Sequence, residues 1–211
     1  EITTRLVGSE MCIRDRIGME RFAAIVSDMD SDDAVDVLEE LDDATRKRLA
    51  PLLQADARKA IRLIRSYDED EIGSQMTTNF VRISQGISVK QATRSLILQA
   101  DKNDNINTIY VSDGERHYVG AIDLKDLITA REYDDLEDII VSSYPYVFAE
   151  EKIHACVDKI KEYAEDSIPV LDEERRIVGV ITATDITELV DEEMGEDYAM
   201  LAGMTEASDL D

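Results

Sequence analysis

An internal repeat in the second half of the chain constrains the fold more than any other feature. IYVSDGERHYVGAIDLKDLI begins at Ile109, and IPVLDEERRIVGVITATDIT begins at Ile168. Both copies read as a strand, an acidic turn, a Val-Gly pair, a second strand and a helix, and in both the turn aspartate lies seven residues before the glycine. Each copy follows an amphipathic helical segment, so the sequence predicts two consecutive α/β units of the same architecture.

The segment from residue 17 to residue 75 has the periodicity of helices. Apolar residues recur at intervals of three and four in AVDVLEEL, shortly after Ser31, and similar runs follow Asp43 and Asp56. Serine and aspartate are favoured at helix starts because their side chains accept free backbone N–H groups. Three or four short helices with connections of two or three residues are therefore predicted. We expect them to be the end of a larger helical domain.

Charge and hydropathy limit the partners of the chain. It carries 48 Asp and Glu against 23 Lys and Arg, a formal net charge of −25. Such a surface repels phosphate backbones, so we expect no nucleic-acid partner. No apolar run in the sequence reaches the roughly 18 to 20 residues that a membrane-spanning helix requires, which predicts a soluble chain.

The sequence lacks the groupings that are typical of active sites. There is no Ser/His/Asp set, Cys/His pair or phosphate-cradling glycine loop. Cys12 and Cys156 lie far apart, and His117 and His154 are isolated, which argues against a zinc site. We therefore interpret the chain as a non-enzyme.

The repeat unit resembles the CBS domain, a regulatory module that occurs in tandem pairs. Three further stretches resemble MgtE-type magnesium transporters. SDDAVDVLEEL is similar to the acidic helix start of that family's N-terminal domain, and YDEDEIGSQMTTNFV, from Tyr67 to Val81, is similar to its joint with the first CBS repeat. ITELVDEEMGEDYAMLAGMTE resembles the connecting or plug helix, which leads to the membrane pore.

This resemblance implies the α + α/β fold class, with a small all-helical domain, a tandem CBS pair of β-α-β-β-α repeats and a C-terminal acidic connecting helix. It also implies a homodimer formed through the CBS repeats, a transmembrane domain after Asp211, and a location at the cytoplasmic face of the cell membrane. We place a leader of no assigned function at 1–16, the helical domain at 17–75, the CBS repeats at 76–135 and 136–190, and the connecting helix at 191–211.

Two groups of acids are candidate sites for regulatory Mg²⁺. Asp32 and Asp36 are four residues apart, which places both carboxylates on one face of a helix. The segment from 186 to 211 is rich in acids and contains no Lys or Arg. Magnesium retains several waters and uses few carboxylates, so weak clusters of acids suit a sensor. The simpler interpretation is an ordinary solvated helix face.

The resemblance extends this set of metal-binding candidates. Asp32 and Asp36 would face the second CBS repeat and the connecting helix. Positions at which the family carries metal-linked acids match Asp185, Glu188, Glu193 and Glu196.

A second candidate ligand is ATP or another adenine nucleotide. GVITATD fits the nucleotide signature of many CBS pairs through Gly179, Thr182 and Asp185, whose carboxylate would hold the ribose hydroxyls. The first repeat has GAIDLKD, in which Asp123 replaces the hydroxyl residue. Two other roles remain open for Asp185: it caps its helix, or it binds the metal.

The predicted function is a magnesium sensor that gates an attached magnesium-transporting pore. Like charges about 4 Å apart repel by roughly 1 kcal/mol in water, so clustered carboxylates oppose closure of the domains. We expect Mg²⁺ to remove this repulsion, close the domains and shut the pore. The alternative is an adenine-nucleotide-sensing CBS module that regulates an enzyme or another transporter.

Overall fold

The computed structural model describes residues 18–160 and 165–190, without the side chains of residues 157–159. The leader at 1–16 and the connecting helix at 191–211 lie outside the described residues. The described residues begin with a helical domain whose described α-helices are α1 (Met19–Asp28), α2 (Ser31–Glu39), α3 (Asp43–Leu49) and α4 (Ala55–Ile64). A single 3₁₀ turn, Ala50–Leu52, follows α3.

The predicted starts of α3 and α4 agree with the structure to within one residue. Helix α3 begins at Asp43, and the carboxylate of Asp42 caps it by accepting the backbone N–H of Thr45 at 3.0 Å. Helix α4 begins at Ala55, directly before Asp56. A short polar residue therefore caps the start of α3, whereas Gln54, the N-cap residue of α4, makes no side-chain cap bond.

The prediction that Ser31 caps α2 is wrong. Ser31 is the first residue of the helix, Asp30 occupies the N-cap position, and neither makes a side-chain cap bond. The Ser31 hydroxyl instead accepts the backbone N–H of Thr78, 2.8 Å away in the linker that follows the helical domain. A tertiary hydrogen bond has replaced the local one because the hydroxyl is buried against that linker.

The two repeats have the predicted β-α-β-β-α architecture. Each contains a three-stranded sheet in which the first two strands are parallel and the last two are antiparallel. The first repeat consists of β1 (Val81–Ser84), α5 (Val89–Ala100), β2 (Thr108–Ser112), β3 (Tyr118–Asp123) and α6 (Leu124–Thr129). The second consists of β4 (Val147–Phe148), α7 (Ile153–Ile160), β5 (Ser167–Leu171), β6 (Ile177–Thr182) and a helix at 183–190, called α8 here. None of the described helices has both the length and the apolarity needed to cross a bilayer.

Each sheet is extended by the linker that precedes the other repeat. Thr77, before the first repeat, exchanges backbone hydrogen bonds of 2.8 and 2.9 Å with Val180 of β6. Val141, before the second repeat, exchanges bonds of 2.8 and 3.2 Å with Ala121 of β3. The pair is therefore joined by two reciprocal edge contacts.

These edge contacts require the glycine of the repeated Val-Gly pair. A Cβ atom added at Gly120 would lie 2.7 Å from the carbonyl oxygen of Val141. At the equivalent Gly179 it would lie 2.6 Å from the sulfur of Met76 and 2.9 Å from the carbonyl oxygen of Thr77. Only glycine leaves room for a second backbone to approach this closely.

One hydrophobic core connects the helical domain to the second repeat. It runs from Phe22 and Leu38 in the helical domain, through Ile72 and Met76 in the linker, to Ile168 in β5. The first repeat has a separate core between its sheet and its helices. A third cluster lies between the two sheets. The helical domain is thus packed on the second repeat, although the first follows it in sequence.

Two buried tyrosines in the cluster between the sheets should respond differently to loss of their hydroxyls. The Tyr110 hydroxyl lies 2.6 Å from that of Ser167, whereas the buried hydroxyl of Tyr118 has no hydrogen-bond partner among the described residues. We expect Tyr110→Phe to lower the free energy of unfolding by about 1 kcal/mol and Tyr118→Phe to leave it unchanged or raise it. Urea denaturation of both variants tests this, and equal losses would contradict it.

A candidate cation-binding cleft

A cleft of about 540 Å³ lies between the helical domain and the CBS-like pair. Hydroxyl and amide side chains contribute to its lining, among them those of Asn105, Ser167 and Thr182. Its acidic lining residues are Asp30, Asp32, Asp33, Asp36, Asp104, Asp166, Asp185 and Glu188. Among the described residues that line it, none is a lysine, arginine or histidine. The cleft is therefore strongly electronegative.

Four parts of the chain bring these acids together. Helix α2 supplies Asp30 at its N-cap position and Asp32, Asp33 and Asp36 in its first two turns, and α8 supplies Asp185 and Glu188. The remaining two come from loops that directly precede β2 and β5, Asp104 and Asp166. The helical domain supplies one wall of the cleft, and the two repeats supply the other.

The structure places four of the predicted metal-binding residues at this cleft. Asp32 and Asp36 lie on one side and Asp185 and Glu188 on the other. Glu193 and Glu196 lie outside the described residues.

Sequence reasoning missed several lining acids. Asp30 and Asp33 flank the predicted Asp32, and their proximity in the sequence was the available signal. Asp104 belongs to the stretch DKNDN, where the first repeat contains extra residues that the second repeat lacks. Asp166 has no such signal, because the pairing of β5 with β6 places it beside Ala183 at the start of α8.

Asp32 combines a raised pKa with a buried oxygen that lacks a hydrogen-bond donor among the described residues. Burial, followed by repulsion from the Asp185 carboxylate, raises the pKa of Asp32 from 3.8 to about 7. One of its oxygens, Oδ1, is buried and accepts no hydrogen bond from any described residue. A buried charged oxygen without a donor is costly, so this side chain is poised to accept a positively charged ligand.

The pKa values of two neighbouring carboxylates, Asp33 and Asp185, are also raised. Burial, and then the charges of Asp30 and Glu188, raise the pKa of Asp33. The pKa of Asp185 is also raised, mainly by burial, although hydrogen bonds from Thr182 oppose the shift. A raised carboxyl pKa means that the environment disfavours the negative charge. The acids therefore destabilise the arrangement that brings them together.

The cleft suits a hydrated divalent cation better than a dehydrated one. Within residues 18–160 and 165–190, no three acidic, thiol or imidazole side chains are close enough to form a preassembled metal centre. Magnesium usually keeps several waters and contacts one or two carboxylates. The unpartnered Asp32 oxygen and the size of the cleft fit such an ion.

The nucleotide-like motif GVITATD has structural roles of its own. Asp185 Oδ2 accepts the backbone N–H of Thr182 at 2.7 Å, and the Asp185 N–H points to the Thr182 hydroxyl at 3.4 Å. This reciprocal pair caps the start of α8. Gly179 makes room for the linker, as described above. In the first repeat, Asp123 caps α6 by accepting the N–H of Lys125 at 2.7 Å. Of the open roles for Asp185, capping is directly visible.

Two family models match the sequence. The model of the MgtE intracellular N domain matches residues 13–70. The model of the CBS domain matches twice, at residues 69–133 and 136–192.

Individual relatives agree with these family matches. The magnesium transporter MgtE of Thermus thermophilus is 30% identical over 178 residues, which cover 84% of this chain and 39% of that protein. The crystal structure of the soluble part of a magnesium transporter superposes with a TM-score of 0.78 at 30% identity, covering 84% of this chain and 69% of the other. The cytosolic domain of the Mg²⁺ channel MgtE in complex with ATP gives a TM-score of 0.78 at 27% identity, covering 87% and 75%. The chain spans less than half the length of two curated bacterial relatives, 43% and 39%.

Proposed function

This chain belongs to the MgtE family of magnesium transporters, of which it carries the N domain and the CBS pair, and from that premise we propose that it senses magnesium and gates an attached magnesium-transporting pore. The observation that supports this most directly is the acidic cleft between α2 and α8. Its carboxylates come from two domains and, among described residues, face no basic side chain in the lining. Burial first, and repulsion from neighbouring carboxylates second, raise the pKa of Asp32, and burial mainly raises that of Asp185; a divalent cation would favour the charged form of both groups.

The residues that would hold regulatory Mg²⁺ are Asp32 and Asp36 on α2, Asp185 and Glu188 on α8, and Glu193 and Glu196 further along the chain. The cation would supply positive charge that neutralises these acids and bridges them directly or through water. When the cation is absent, the carboxylates of α2 repel those of α8. When it is bound, α2 and α8 stay together and the domains remain closed.

Helix α8 is well placed to carry this change to a pore. It bears Asp185 and Glu188 near its start, and the sequence continues from it into the acidic segment at 191–211. Movement of α8 relative to α2 would therefore displace the segment that we assign as the connecting helix. In this mechanism the chain regulates and does not catalyse. We place it at the cytoplasmic face of the cell membrane, which fractionation of cells that express the intact transporter would test.

We also propose that the chain forms a homodimer through its CBS repeats. Helices α5 and α6 of the first repeat expose large apolar side chains: Ile97 is 66% exposed, Leu98 70% and Ile128 69%. Neighbouring apolar side chains of this size favour a protein interface. Sedimentation equilibrium should give a dimer for the unmodified chain and a monomer for Leu98→Glu. A monomeric unmodified chain would refute the proposal.

A magnesium titration tests the sensing function. We expect the radius of gyration of the 211-residue chain to fall at millimolar Mg²⁺ in small-angle scattering, and monovalent salt of matched ionic strength to have little effect. Asp32→Ala combined with Asp36→Ala should weaken the response because both variants remove candidate ligands. Glu40→Ala combined with Asp138→Ala removes the same charge from exposed positions away from the cleft and should leave it intact. If Mg²⁺ has no more effect than monovalent salt, the acids are only a solvated surface.

Adenine nucleotide is a second candidate ligand. A structural neighbour, the cytosolic domain of the Mg²⁺ channel MgtE, was solved in complex with ATP, and GVITATD fits the CBS nucleotide signature. The acidic lining of the cleft opposes a triphosphate, so we rank this ligand after magnesium. Calorimetry with ATP, compared between the unmodified chain and Asp185→Asn, tests it. Binding that Asp185→Asn leaves unchanged would exclude the proposed ribose contact.

A further inference from the structure

A polar junction at the start of α2 joins the helical domain to the linker that precedes the first repeat. The buried Ser31 hydroxyl accepts the backbone N–H of Thr78 at 2.8 Å and lies 3.1 Å from the Thr78 hydroxyl. Beside it, the side-chain amide of Asn79 donates to Asp30 Oδ1 at 2.6 Å. Asp30 and Ser31 directly precede Asp32, so one turn of the chain carries both the junction and a carboxylate of the cleft.

The linker side of this junction is fixed to both repeats. Thr77 exchanges its two backbone hydrogen bonds with Val180 of β6. Asn79 Oδ1 accepts the backbone N–H of Asp104 at 2.8 Å, and the Asn79 carbonyl oxygen accepts the side-chain amide of Asn105 at 3.0 Å. The helical domain, the longer loop of the first repeat and the sheet of the second repeat therefore meet at three consecutive linker residues.

We infer that Asp30 and Ser31 act as positioning residues that form a latch with residues 77–79, and that the latch sets the magnesium concentration at which the chain responds. The inference rests on the proposed function and goes beyond it by naming how the threshold is set. Hydrogen bonds of the latch favour the closed arrangement, whereas repulsion between α2 and α8 opposes it. The apparent affinity for a ligand decreases when fewer molecules are in the binding-competent state. A weaker latch lowers that fraction, so a higher magnesium concentration is needed to close the domains.

The test compares magnesium midpoints for compaction, measured by small-angle scattering. Ser31→Ala leaves the partly buried Thr78 N–H without its acceptor, which weakens the closed state, and we expect the midpoint to rise about tenfold. Asn79→Ala, at a partly exposed position, should also raise the magnesium midpoint. Ser31→Thr retains the hydroxyl oxygen and should restore a midpoint within about twofold of the unmodified value.

Ser27→Ala is the matched control. The Ser27 hydroxyl accepts the backbone N–H of Gln54 at 3.0 Å, a bond of similar length that is more exposed and lies entirely within the helical domain. This variant should keep the unmodified midpoint. A shift as large as that of Ser31→Ala would show that any loss of a hydroxyl in the helical domain has this effect, and would overturn the latch.

The remaining outcomes separate the latch from the proposed function. If folded Ser31→Ala and Asn79→Ala both keep the unmodified midpoint, the latch is refuted while magnesium sensing stands. If the unmodified chain does not respond to Mg²⁺, the sensing function fails, and the latch fails with it. Hydrogen exchange at the Thr78 amide gives an independent readout: we expect Mg²⁺ to slow it in the unmodified chain, and unchanged exchange in a chain that compacts would count against the latch.

Discussion

Replacing Asp32 by asparagine is expected to raise the free energy of unfolding of the magnesium-free chain at neutral pH by on the order of 3 kcal/mol. The carboxylate is largely buried, repelled by Asp185, and has one oxygen without a donor. Asparagine has nearly the same shape and no charge, so it removes the repulsion and most of the desolvation cost. Urea denaturation in the presence of a chelator, with Asp138→Asn as an exposed control, measures the difference.

The pH dependence of this difference follows from the direction of the pKa shift. The pKa of Asp32 is about 7 in the folded chain and 3.8 as the reference value, so the folded state binds the proton more tightly than the unfolded state. The stability cost is therefore absent below about pH 4, grows as the pH rises, and is complete above about pH 7. Asp32→Asn should gain little near pH 4 and most near pH 8. A gain that is equal at both pH values would contradict a charge-based cause.

The same substitution should weaken the response to magnesium. An uncharged side chain has no repulsion for a cation to relieve and is a poorer ligand than a carboxylate. We therefore expect Asp32→Asn to be more stable than the unmodified chain without Mg²⁺ and to gain less stability when Mg²⁺ is added. A variant that is stabilised by magnesium as strongly as the unmodified chain would remove Asp32 from the proposed site.

Gly179→Ala is expected to destabilise the chain by about 3 kcal/mol, at the upper end of the cost of overpacking a dense interior. The added methyl group would meet the carbonyl oxygen of Thr77 at 2.9 Å and the side chain of Met76. Methionine can adjust, but the linker backbone is held by its hydrogen bonds to Val180. For a chain of this size the melting temperature should fall by roughly 6–12 °C in a thermal scan.

Gly114→Ala is the control for this prediction, because a Cβ atom there has nothing within 4 Å. It should change stability by less than about 0.5 kcal/mol. The comparison also separates two roles of Gly179. If Gly179→Ala keeps the stability of the unmodified chain but loses ATP binding, the glycine serves a nucleotide and not the packing of the linker.

The repeat architecture could be predicted because its information is local. The spacing between the turn aspartate and the glycine is the same in both copies, and each feature has a structural counterpart. Asp113 and Asp172 accept backbone N–H groups within their own turns. The glycines admit the neighbouring linkers. Local periodicity also predicted α2, and the four-residue spacing of Asp32 and Asp36 predicted that they share one face; both line the cleft.

Contacts between distant parts of the chain could not be predicted in this way. Ser31 has the residue type and position of a helix cap, yet its hydroxyl binds Thr78, 47 residues later. The amphipathic pattern of the helical domain indicates that one face is buried but does not identify its partner. The expectation that α2 faces the second repeat came from the family resemblance and not from this pattern. Asp166 was missed for the same reason, because only three-dimensional packing brings it to the cleft.

The core shared by the helical domain and the second repeat has a consequence for synthesis on the ribosome. Helix α4 ends at Ile64, but the same core includes Ile168, Ile181 and Ile186. At a translation rate of about 5–20 residues per second, the second repeat, which covers the apolar face of the helical domain, is synthesised roughly 10 s after that domain. During that interval the nascent chain exposes a surface of the kind that chaperones bind. Slow translation or early termination after the first repeat would therefore favour aggregation, even though all four described helices of the helical domain have already been made.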